Sequence, residues 1–333
     1  MNTYRKRAEK LLLILGFSLA VIFLLSVFIG RYPKPYWMPL SVLLENTLAQ
    51  KLVFSLRLPR LVMAMLLGMS LAACGETLQM IFRNPIVEPG FLGVSQGAAF
   101  GAAIGILFLG GGIVTTKISA AAFALLGLAA SFLLARYLRF GGWVLRLVLS
   151  GIVVSALLSA GLGVMKYLAD PLTELQEITF WLLGGLWSVT WKDVLYVLPA
   201  VAIGLLTAHL MRWRLNVLSL NEETAFSLGS RVTKERTVLL IFMVAAVAMI
   251  TSVSGIVNWV GLIVPHLARR LVGPNAQFSM PASMLMGGVF VILCDDLARA
   301  LMAGEIPLGI ITSFLGALIF IVLMTSRKLR FKK

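Results

Sequence analysis

The chain has 333 residues, 59% of them apolar and only 13% charged, with a mean hydropathy of +0.96. Soluble chains of this length carry roughly a quarter charged residues, so a soluble globular enzyme is excluded and an all-α polytopic membrane protein is indicated. The net charge of +15 does not point to nucleic acid. Lysines and arginines lie between the apolar stretches rather than on one amphipathic face, where they act as topological signals and meet anionic lipid.

Arg5, Lys6, Arg7 and Lys10 precede an apolar run from Leu11 to Gly30. That run is longer than the apolar core of a signal peptide, and no small-residue cleavage site follows it, so it reads as a retained first span. Ten helices are predicted, at about 11–31, 60–82, 91–109, 115–136, 143–166, 192–211, 237–254, 257–271, 282–302 and 307–326. With the N-terminus inside, the inner loops hold 20 Lys and Arg and the outer loops nine, which places both termini in the cytoplasm. Five of the nine crowd into residues 31–60. Residues 171–181 are too polar to span, and Pro171 suits the first turn of a short helix on the outer surface. No repeat or low-complexity linker divides residues 1–333, so a single membrane domain is expected. Cys74 and Cys294 fall inside apolar segments as small core thiols, with no metal-ligand spacing.

Helices associate in lipid through close backbone approach. The third span carries Gly93, Gly97, Gly101 and Gly105 at four-residue spacing, and the fifth carries Gly151, Ser155, Ser159 and Gly163. Each set forms a slowly winding stripe that either receives a neighbouring helix or lines a path for a bulky solute. Ionisable groups within spans are costly. Asp296 and Arg299 are three apart and close enough to pair. Glu76 has no partner in its own helix beyond its neighbour Gln79. His266 reads as structural near a helix C-terminus, and His209 as interfacial.

The longest inner loop is residues 215–236. Ser219 and Glu222 fit a capping box, and Gly229 fits the position that ends a helix. A short helix at about 220–229 is expected outside the bilayer, with Phe226 and Leu228 giving it an apolar surface. It is either a docking knob or an interfacial helix resting on lipid.

Several motifs in order resemble the permease subunits of ABC importers for iron–siderophores, haem and cobalamin. They are Arg57-Leu-Pro-Arg60, Arg83-Asn-Pro85, Pro89-Gly-Phe-Leu-Gly93, Trp181-Leu-Leu-Gly-Gly185, Trp191-Lys-Asp193, Val260-Gly-Leu-Ile-Val-Pro-His-Leu-Ala-Arg269, Asp296-Leu-Ala-Arg299 and Ile306-Pro-Leu-Gly309. Glu223-Thr-Ala225-Phe-Ser-Leu-Gly229 is similar to the loop by which such permeases engage their ATPases. The resemblance covers nearly the whole chain. It implies a type II importer fold of ten helices per subunit and a dimer of identical or paralogous permeases with the pore between them. It also implies two cytoplasmic ATPases that hold ATP and Mg, a binding protein docking outside, and no cofactor on this chain. The setting implied is a bacterial cytoplasmic membrane.

On the same resemblance, Glu222, Glu223, Ala225, Phe226, Leu228 and Gly229 couple to the ATPase. Arg57, Arg60 and Arg299 meet acidic residues of the binding protein, which would account for the basic outer loop. Asn84, Pro85, Gly141 and Gly142 lie near the cytoplasmic gate. Glu76 departs from the pattern, which has a small or apolar residue there.

The chain has no P-loop motif and no nucleophile–base pair or metal-ligand cluster, so an enzyme is not indicated. The alternative is an ion-gradient-driven carrier using Glu76, Asp295 and Asp296. Such carriers show inverted repeats and broken midplane helices, and the sequence displays neither.

Overall fold

The computed structural model describes residues 2–33, 36–302 and 304–325. The basic C-terminal cluster used in the charge count lies outside the described residues. In chain order the helices are α1 (Asn2–Phe28), α2 (Leu40–Glu45), α3 (Thr47–Leu52), α4 (Leu58–Phe82), α5 (Val94–Phe108), α6 (Ile113–Tyr137), α7 (Trp143–Leu168), α8 (Glu174–Leu183), α9 (Trp191–Leu210), α10 (Arg212–Leu218), α11 (Glu222–Ser227), α12 (Val232–Ser254), α13 (Val260–Val272), α14 (Ala276–Ala300) and α15 (Leu308–Thr325). Two short strands, β1 (Ile29–Gly30) and β2 (Tyr36–Trp37), pair antiparallel between α1 and α2. Among the described residues eight helices are long and apolar enough to cross a membrane. The shorter α5 and α13 fill the two remaining predicted positions. The end of the bundle bearing Tyr4, Arg83 and α11 is termed inner, after the charge distribution, and the opposite end outer.

Helix α4 is the hub, packed against α9, α12, α13 and α14. Of its most apolar stretch 83% is buried, against 17% for α1 and 22% for α15, so α4 runs through protein while those two line the periphery. Small residues permit this. Gly68 faces the backbone of Gly287 on α14, and Gly75 faces that of Gly261 on α13, so a Cβ at either would enter a main chain. Gly68→Leu is therefore expected to force α4 and α14 apart. The cost is about 1–3 kcal/mol or more, read as earlier thermal unfolding of the purified protein.

The α5 stripe packs as one face. Gly97 lies on the Phe123 carbonyl, Gly101 on that of Ser119 and Gly105 on Thr116, all of α6, and the Ser119 hydroxyl donates to the Gly101 carbonyl at 2.6 Å. The α7 stripe behaves differently. Gly151 sits on the Phe91 carbonyl, but nothing lies near Gly163, and Ser159 is exposed. Four-residue steps advance about 40° each, so the stripe winds from the inside of the subunit at Gly151 to its outside at Gly163. Gly161 takes over the internal contact, against Phe100.

Several boundaries correct the sequence expectations. Pro171 precedes α8 instead of opening it, because the Asp170 carboxylate accepts from the amides of Leu172 and Thr173 at 2.7 and 3.2 Å and forms a turn there. The outer loop contains α2 and α3, separated by an extended Asn46, and α3 runs on through residues 53–57 into α4. The capping box at 219–222 does not form: the Ser219 hydroxyl donates to the Asn216 carbonyl at 2.7 Å, and Glu222 turns to Arg236 at 2.6 Å.

Two of the helices fall short of a full span. At 15 and 13 residues, α5 and α13 reach only about 22 and 20 Å, short of a ~30 Å hydrocarbon core. After Arg83 the chain turns back into the bundle, where Pro89 packs on Gly261 beside the Leu71 carbonyl. Leu71 lies eleven residues from Phe82 on α4, about 16 Å into the bundle. Irregular backbone at that depth must be buried in protein or line water.

Candidate functional site

The inner end gathers the predicted coupling and gate residues. Helix α11 is held from behind by two arginines. Arg236 of α12 is 1% exposed, pairs with Glu222 at 2.6 Å and donates to the Leu218 carbonyl at 3.1 Å. Arg83 donates to Asn221 Oδ1 at 2.7 Å and to the Leu220 carbonyl. Ala225 is buried, whereas Phe226 and Leu228 are 78% and 58% exposed, so the apolar surface of α11 points away from the bundle. Gly229 ends the helix at φ +76°. A cavity of about 460 Å³ lies between these parts, lined by Arg83, Gly142, Trp143, Asn221, Glu222, Glu223 and Arg236 among others. Gly141 adopts φ +68° just before it. Asn84 is exposed, and its side chain accepts from the Ile86 amide at 3.1 Å, closing the turn at Pro85. Arg236 escaped the sequence reading because it was counted as a loop charge just ahead of a span.

At the outer end the three arginines of interest fare differently. Arg60 is bound by Asp295 at 2.9 Å and Glu305 at 2.8 Å. Arg299 is 7% exposed, pairs with Asp296 as its three-residue spacing predicts, and donates to the Ser26 carbonyl at 2.6 Å. The Ser26 hydroxyl completes the group by donating to Asp296 at 2.5 Å. Among the described residues Arg57 has no carboxylate partner; it donates to the carbonyls of Val27 and Tyr32 at 3.0 and 3.2 Å. Together with Arg31, Tyr32 and Trp187 these arginines line an outer cavity of about 400 Å³. Arg60 and Arg299 thus spend their charge within the chain; the spacing revealed this for Arg299 but not for Arg60.

Glu76 finds partners on other helices. It is fully buried and accepts from Arg269 of α13 at 2.7 Å and from Ser279 and Ser283 of α14 at 2.7 and 3.3 Å. Arg269 also donates to Gln79, whose amide nitrogen donates to the carbonyls of Gly261 and Leu262 at 3.1 and 3.2 Å. One carboxylate with three donors thus links α4, α13 and α14. Among the described residues no group of three or more His, Cys, Asp or Glu is placed to hold a metal ion.

A helical bundle of this composition, with two helices short of a full span and an apolar knob held outside it, defines a multi-pass membrane protein. The comparisons give the kind. The chain matches the FecCD transport family over residues 18–326. It is 40% identical over 273 residues to a Helicobacter pylori chain named "Probable iron chelatin transport system permease protein", covering 82% of each. It is 35% identical over 326 residues to the molybdate import permease MolB of Haemophilus influenzae, covering 96% of each. Among solved structures it resembles a metal-chelate type ABC transporter in an inward-facing conformation, with TM-score 0.86, 36% identity and coverage of 95% and 99% of the two chains. The chain belongs to the FecCD transport family and is a permease subunit of an ABC importer, a class in which ATP is hydrolysed by separate subunits. The short α5 and α13 do not favour a gradient-driven carrier, because the permease relatives account for the fold.

Proposed function

We propose that this chain, in a bacterial cytoplasmic membrane with both termini inside, forms half of the path by which a chelated metal enters the cytoplasm. Two permease subunits, identical or paralogous, two ATPases carrying ATP and Mg, and an outer binding protein make up the working assembly. The observation that carries the reading is α11: a short helix tied to α4 and α12 by arginines, with Phe226 and Leu228 offered to a partner. ATP-driven closure of the ATPases moves α11, and the spans rock between outward and inward access. Asn84, Pro85, Gly141 and Gly142 then flank the inner gate. The exposed part of the α7 stripe, Ser159 and Gly163, suits the face toward the second subunit.

Ferric siderophore is the first cargo proposed; haem, cobalamin and molybdate are the other candidates, as relatives bear names for iron chelatin and for molybdate. The whole assembly, offered each cargo in turn, is expected to take up one with saturation. Equal uptake of all would contradict a defined cargo.

The outer cavity then docks the binding protein with Arg57 and Arg31 as its available charges, since Arg60 and Arg299 are engaged internally. Arg57→Glu is expected to weaken binding-protein docking by about tenfold at low salt, and by less at high salt. Undiminished docking at low salt would contradict the assignment. Reversal of Arg60 is a poor test, because it would set a third carboxylate beside Asp295 and Glu305.

A further inference from the structure

Arg83 stands where three elements meet. It caps the inner end of α4 in the left-handed conformation, φ +51°, which side-chain-bearing residues rarely adopt. Its own amide donates to the Gln79 carbonyl, so the residue terminates α4 and simultaneously turns its guanidinium toward α11. There it grips Asn221 and the Leu220 carbonyl, both just ahead of α11. On the far side of the same cavity lie Gly142 and Trp143, where α7 begins. Held strain of this kind persists where surrounding contacts over-determine it, and it clusters at switch regions.

The helix that Arg83 caps is bound to its neighbours by charge at two further levels. Glu76 joins it to Arg269 of α13 and to Ser279 and Ser283 of α14. Arg60 joins it to Asp295 of α14 at the outer end. A 25-residue helix reaches about 37 Å, and α4 lines both cavities, with Arg60 at the outer one and Phe82 at the inner one.

We infer that Arg83 is a positioning residue that delivers the displacement of α11 to α4, and through α4 to α13, α14 and the outer cavity. The other anchor, Arg236, ties α11 to α12. The inference rests on the reading of α11 as the ATPase contact. It adds that, on the side of α4, this contact is transmitted by the Arg83 guanidinium rather than by the apolar surface of α11, which faces away from the bundle.

The test uses the full assembly in proteoliposomes, with ATPase co-purification, ATP hydrolysis and uptake measured in parallel. Arg83→Ala is expected to retain the ATPase, since Phe226 and Leu228 are untouched, but to lower uptake per ATP by about tenfold. Arg83→Lys, able to reach one of the two acceptors, should recover part of that loss. Asn221→Ala should show a smaller loss of the same kind, and the double variant should be no worse than Arg83→Ala alone, because the two residues act through one contact. Wild-type uptake per ATP in Arg83→Ala would overturn the inference, as would additive losses in the double variant. Loss of ATPase co-purification would also overturn it, by showing that Arg83 serves assembly. Phe226→Glu in the same assay separates the two claims. If that variant stays coupled, the reading of α11 itself fails; if it does not and Arg83→Ala does, only the transmission role fails.

Discussion

Replacing Phe226 by glutamate is expected to abolish productive contact with the ATPase while leaving the membrane bundle folded. The side chain is 78% exposed on a six-residue helix, so nothing within the chain depends on it. Burying such a ring against a partner is worth about 1.5–3 kcal/mol, a ten- to hundredfold change in affinity, and a carboxylate in its place adds a desolvation cost. Gly229→Pro approaches the same element through the backbone. The helix ends there at φ +76°, which proline cannot adopt, so α11 must be displaced relative to its two arginine anchors. Both variants should show normal thermal unfolding and about tenfold or greater loss of uptake per ATP. Wild-type coupling in either would remove α11 from the mechanism.

Arg269→Ala is expected to produce the largest loss of stability. Glu76 would be left fully buried with only two serine hydroxyls, and removing one partner of a buried pair costs about 3–5 kcal/mol. Glu76→Gln should be milder, about 1–3 kcal/mol, because the serines can still donate to an amide oxygen and Arg269 keeps some access to solvent. The combination Glu76→Gln with Arg269→Met should be more stable than Arg269→Ala alone, having no unpaired charge. Thermal unfolding of the purified protein orders the three variants. An Arg269→Ala protein as stable as wild type would show that the network does not hold α4, α13 and α14 together. Uptake by Glu76→Gln should remain driven by ATP and indifferent to a proton gradient, as expected of an anchor rather than a proton carrier.

Much of this arrangement was legible in the sequence because bilayer physics leaves strong marks. Apolar runs near span length located the membrane helices, while four-residue glycine spacing on α5 marked a small-residue face without naming α6 as the helix that packs there. The Asp296–Arg299 pair followed from helical geometry within one element. What was not legible depends on juxtaposition across the chain. Glu76 and Arg269 are 193 residues apart, and Arg60 and Asp295 are 235 apart, distances that no local period encodes. The same limit hid the commitment of Arg60 to Asp295 and Glu305. The α7 stripe shows a different limit: spacing predicted a small-residue face but not where along its winding that face leaves the subunit. The capping box failed through competition, because Arg236 offers Glu222 a charged partner that a backbone amide cannot match.

The most direct measurement is uptake into proteoliposomes containing this chain alone, or this chain with its ATPase and binding protein, each with ATP or with an imposed proton gradient. The account predicts uptake only in the complete assembly and only with ATP. Uptake by the chain alone that follows the proton gradient would contradict it and return the mechanism to the intramembrane carboxylates Glu76, Asp295 and Asp296.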